Sequence, residues 1–244
     1  MPKYYESLEL NHAETLLDVV FGVVIGLALI ELPSLILIAA EQITATNLIA
    51  PILLVSALLF SAFYWLEVRH FLHAQSSFNK ALKEEERLRD DAVPLPLALF
   101  LIGSLAMMTL ATAMLVYAVA GNFSAFVIAA FLFWVCDFAG TLSLKQAYRP
   151  YKKAIEEIQK DHEVDHRWFI GHIVSRFFIF YGALNAAIFA LLIVFDLITQ
   201  HSESFRLSAA VAILIVTIFR HLAWRSRIYS WWTQKHVFPE SSAS

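Results

Sequence analysis

His162-Glu163-Val164-Asp165-His166 has the H-E-x-x-H spacing. On a helix, that spacing sets two zinc-ligand histidines on one face beside a glutamate base, the arrangement of a metal-assisted hydrolase. The neighbours argue against it. Asp161, Asp165 and Arg167 crowd the motif with charge, and His172, six residues on, is off the ligand face. Of the later glutamates, Glu203 is expected across the membrane and Glu240 in the tail, so no third ligand is in view. The segment reads as a solvated loop, and neither a catalytic residue nor a cofactor is expected. A zinc-dependent membrane enzyme using His162 and His166 is the lesser alternative.

A second set of residues is electrostatic. Asp18, Glu67, Asp137, Arg176 and Arg220 each lie near the same end of an apolar run. An isolated charge there costs several kcal/mol, so such groups pair or face water. Asp137 and Arg176, on sequential helices, are a candidate pair that would set helix register. The functional alternative for this intramembrane charge network is a water-filled vestibule or a proton relay. A relay needs ionisable groups through the whole depth, and the far half offers only Glu31 and Asp196 at its edge.

These groups are carried by a chain too apolar for a soluble domain: 244 residues, 59% hydrophobic, 16% charged, mean hydropathy +0.64. Six apolar runs, 16–32, 48–68, 95–119, 123–144, 177–198 and 207–224, approach the roughly 20 residues of a spanning helix. The first is open to continuing through 35–40 with Pro33 as a kink. The expected fold is all-α, a single six-span polytopic membrane domain over 1–244. Lysine and arginine concentrate after spans two and four and after Trp224, while the opposite loops hold only Arg206. The positive-inside rule therefore puts both termini in the cytoplasm. The N-terminus lacks the basic region and short apolar core of a cleavable signal, and Cys136 is the lone cysteine. The short turn at Gly121-Asn122 predicts an antiparallel hairpin. In 225–238, Arg225, Arg227 and Lys235 alternate with Tyr229, Trp231, Trp232 and Phe238. Directly after a span this reads as an interfacial anchor, with no nucleic-acid partner.

Along the first run, Val19, Val23, Gly26 or Leu27, and Ile30 recur at three- and four-residue spacing and share one face. Gly22 and Gly26 form a G-x-x-x-G pair that admits close helix approach. Packed inside a monomer, this is a central bundle helix. Repeated around an axis, it forms rings of Val23, Leu27 and Ile30, a constriction that gates by dewetting.

This helix resembles the opening helix of the unconventional six-span potassium channels of endolysosomes and bacteria. Their signature sets Arg, three variable residues and Phe-Ser-Asp before a run like VFAIAITLLVLEIKVP. Asp18, the Val20-Phe21 pair and the ending Leu29-Ile30-Glu31-Leu32-Pro33 match it, while His12 stands at the arginine position and Leu16-Leu17 at Phe-Ser. Ser56, Tyr64-Trp65 and His70 fit the second span loosely. The resemblance implies that Val23 aligns with the gate isoleucine, with Leu27 and Ile30 on the pore face. Gly26 takes the place of a pore threonine, and His12, Asp18 and Phe21 belong to the entrance and signature.

The function expected is a passive, potassium-like monovalent cation channel, homotetrameric and seated in a bacterial plasma membrane. The lost Phe, Ser and Thr positions favour a non-conducting partner or sensor as the alternative. A small-solute transporter would instead need an enclosed mid-membrane cavity within one protomer.

Overall fold

The computed structural model describes residues 2–84, 94–149 and 177–225. These form helices α1 (Pro2–Glu41), α2 (Ala45–Glu84), α3 (Pro94–Val119), α4 (Phe123–Tyr148), α5 (Phe177–Ile198) and α6 (Glu203–Arg225), with no strand among the described residues.

Pro33 lies inside α1 without ending it. Proline removes one backbone donor, and in an apolar helix nearby hydroxyls and local adjustment compensate. The carbonyl Pro33 leaves without a helical donor is that of Leu29; Ser34 Oγ, one residue on, donates instead to the Glu31 carbonyl at 2.7 Å. The apolar part of α1 is thus Phe21–Glu41, extending past the proline to the turn before α2. Thr44 caps α2, its Oγ1 accepting from Asn47 N at 3.2 Å. Between α3 and α4, Gly121 has a φ of +63°, a conformation glycine adopts without a Cβ penalty. Asn122 Oδ1 caps α4 by accepting from Ala125 N at 3.1 Å. The resulting α3–α4 hairpin is the one the sequence predicts.

Among the described residues, five helices are long and apolar enough to cross a membrane, with segments Phe21–Glu41, Ala45–Trp65, Ile102–Val119, Phe123–Ser143 and Ile179–Ile198. Six were expected. The sixth expected run, 207–224, falls in α6, where Arg206 and Arg220 flank the uncharged stretch 207–219.

The packing centre is α2 with α3 and α4. Leu53, Leu54 and Ala57 of α2, Met114 and Ala118 of α3, Phe126, Ala130 and Phe133 of α4 and Ala210 of α6 are buried. Lipid tails are as apolar as leucine, so close contact rather than water exclusion holds such helices together, and alanines at the crossings permit it. Edge-to-face rings add to this: Phe60 on Phe133 at 4.7 Å, Tyr64 on Phe133 at 5.0 Å, and Trp134 on Tyr181 at 5.6 Å join α2, α4 and α5. At Gly182 of α5, an added Cβ would lie 3.2 Å from Asp137 Oδ2 and 3.3 Å from Phe138 Cα. The glycine is what lets α5 approach α4. In contrast, α1 is peripheral: 12% of its apolar window is buried, against 56% for α2. Sequential α5 and α6 scarcely pack on each other and are joined mainly at their connecting turn.

Candidate functional site

Three sites emerge, at one end, the other end and the middle of the bundle. The first contains the signature residues of α1. Asp18 lies near the start of the apolar run of α1, and Trp65 near the end of that of α2, two residues before Glu67. Trp65 Nε1 donates to Asp18 Oδ1 at 2.8 Å. One turn along α1, Phe21 stacks on the same indole, with centroids 5.0 Å apart and planes 14° from parallel. An indole at that depth suits an interfacial anchor, its ring in the apolar layer and its N–H on a polar partner. At about 100° per residue, Asp18 is some 140° round the helix from Val23. Its carboxylate is therefore turned to α2 and away from the Val23 face.

That face is Val19, Val23, Leu27 and Ile30, and all four are exposed in the protomer: Val23 by 57%, Leu27 by 62%, Ile30 by 72%. The opposite face carries Phe21, Ala28, Leu32 and Leu35 into the core. Gly22 and Gly26 have no atom within 4 Å of an added Cβ, so the close approach they allow is unused within one chain. The candidate gate residues are brought together on one open stripe.

The expected charge network is placed only in part. Asp137 Oδ2 lies against Gly182, on the α4–α5 seam. Arg176, its anticipated partner, falls outside the described residues, as do His162 and His166. Glu67 and Arg220 lie in α2 and α6 and His12 in α1, with side chains outside the described ones. Among the described residues, no group of three His, Cys, Asp or Glu side chains could hold a metal.

The opposite end holds a cluster the sequence reading missed. Asp196, at the end of α5, has a side chain only 4% exposed. Arg206 of α6 donates to it through Nε (2.8 Å, to Oδ1) and Nη2 (3.2 Å, to Oδ2). Ser124 of α4 donates to Oδ2 at 2.7 Å and itself accepts from Arg206 Nη2 at 2.9 Å. His201 Nδ1 lies 2.9 Å from the same Oδ2, and the guanidinium is 5.9 Å from the Phe123 ring centroid. The tight turn, with positive φ at Gln200 and His201, brings α6 back beside α5. A buried carboxylate met by a fork of guanidinium donors is compensated where a lone one would not be. The signal available in sequence was Arg206, the one basic residue expected on that side, ten residues after Asp196.

The middle of the bundle holds a cavity of about 40 Å³ bounded by all helices except α1. Ser56, Asn185 and Thr217 give it polar atoms, and Phe60, Phe126, Trp134 and Phe189 give it aromatic walls.

With five helices among the described residues long and apolar enough to cross a bilayer, and no strand among them, the chain is a helical integral membrane protein. No protein-family model, no curated protein and no solved structure matches it.

Proposed function

We propose that copies of this chain assemble through α1 around a common axis, as a homotetramer, and that the enclosed path conducts monovalent cations passively, potassium foremost. The observation that carries this reading is the open stripe Val19, Val23, Leu27 and Ile30 beside the unfilled Gly22-x-x-x-Gly26 surface. Glycines at that spacing favour helix against helix over helix against lipid. Rings of Val23, Leu27 and Ile30 would form a hydrophobic constriction, closed when dewetted. Asp18, clasped by Trp65, anchors the mouth of the helix instead of pointing into the path. In this arrangement α6 crosses as the sixth span with Arg206 and Arg220 at its two ends. Both termini then face the cytoplasm by the basic-loop rule, and the membrane is the bacterial plasma membrane.

A transporter reading draws on the mid-bundle cavity, but 40 Å³ is room for a few waters rather than a solute.

The assembly is tested by cross-linking in membranes. In a Cys136→Ala background, Val23→Cys should be joined between copies by a short bis-maleimide, and Phe180→Cys, exposed on α5, should not. Absence of a Val23→Cys product together with a monomeric mass would refute the assembly. Assembly without ion flux would assign the chain as a non-conducting membrane partner.

A further inference from the structure

The cavity in the middle of the bundle has properties that neither the fold nor the pore reading requires. Ser56 is the twelfth residue of the 21 in Ala45–Trp65, so the polar floor lies deep in the apolar layer. Ser56 and Thr217 are buried, yet each gives its hydroxyl proton to its own helix: Ser56 Oγ to Ile52 O, and Thr217 Oγ1 to Ile213 O, both at 2.8 Å. Asn185 gives one amide proton to Tyr181 O at 2.8 Å. What these groups still have to offer is lone pairs on two hydroxyls and a carboxamide oxygen, plus one amide N–H. A cavity of 40 Å³ with three such groups exceeds the roughly 10–15 Å³ needed for one water.

The ligand chemistry follows from that inventory. An acceptor-rich floor with one donor suits a hydroxyl, which both donates and accepts. No charged side chain lines the cavity. A carboxylate or ammonium would therefore lose its hydration with no counter-charge, and a neutral head is selected. The volume admits the head alone. The chain has a way out, because Val216 lines the cavity and is also 60% exposed. Helices α5 and α6 scarcely touch apart from the Asp196–Arg206 clasp at one end. Val216 is the one exposed residue of the lining, so a path toward lipid would run past it.

We infer that this cavity is a binding site for the hydroxyl head of a neutral single-chain amphiphile that enters from the bilayer between α5 and α6. Asn185 is the pivot, receiving the ligand O–H on Oδ1 and offering its second N–H to the ligand oxygen, with Ser56 and Thr217 as further acceptors. The aromatic walls take the first methylenes. No residue of α1 lines this site, so it stands whether or not the α1 stripe lines a pore.

The test is photolabelling of the full chain in nanodiscs with a diazirine-bearing octan-1-ol, with the label mapped by mass spectrometry. Labelling should saturate, map to α5 and α6 near Asn185 and Thr217, and be displaced by unlabelled octan-1-ol. Octane, octanoate and octylammonium should not displace it. Asn185→Leu should weaken labelling about tenfold, the loss of one or two hydrogen bonds. Thr217→Val, which keeps the branched shape, should weaken it severalfold and serves alone if Asn185→Leu does not fold. Labelling that fails to saturate, that octane displaces equally, or that is unchanged in the folded variants overturns the proposal.

Discussion

Trp65 lies near the end of the apolar run of α2, and its indole N–H is held by Asp18, near the start of the apolar run of α1. The two helices are thereby fixed in register at one membrane boundary, with Phe21 stacked on the same ring. Trp65→Phe keeps an aromatic ring beside Phe21 and removes the donor. It should destabilise the protein by about 1 kcal/mol, the net value of one hydrogen bond. Unfolding in mixed micelles would measure this. Asp18→Leu combined with Trp65→Phe should cost little more than either alone, since both remove the same bond.

The Asp196–Arg206 clasp makes a stronger prediction. Arg206→Met leaves a carboxylate that is 4% exposed without its guanidinium and should cost about 3–5 kcal/mol. Asp196→Leu with Arg206→Met removes both charges and should recover much of that loss. A double variant as unstable as Arg206→Met alone would show that the cluster acts through packing instead of charge.

Two kinds of glycine should separate cleanly. Gly182→Ala places a Cβ 3.3 Å from Phe138 Cα. Backbone must move there, so a loss of about 1–3 kcal/mol is expected from overpacking. Gly26→Ala adds a Cβ that meets no atom of the protomer within 4 Å. It should leave the unfolding midpoint of the dissociated chain unchanged while lowering the oligomer fraction, read by native mass spectrometry.

What sequence revealed and what it hid divide along physical lines. Local patterns were legible: the α3–α4 hairpin from Gly121-Asn122, the apolar helices, and the single stripe of Val19, Val23, Leu27 and Ile30. The continuation of α1 past Pro33 was only a possibility on paper, because a proline ends helices in water more readily than in an apolar layer. Long-range partners were hidden. Nothing in the chain order says that Asp18 faces Trp65, that Ser124 reaches Asp196 across 72 positions, or that Gly182 is where α5 meets Asp137.

Potassium flux through proteoliposomes, compared between the wild-type chain and Val23→Ala, tests the central claim most directly. A constriction built from rings of Val23 and Leu27 predicts measurable wild-type flux that rises severalfold when the ring is widened, with Leu27→Ala behaving alike. No flux from either protein, or equal flux from both, would contradict a pore lined by α1.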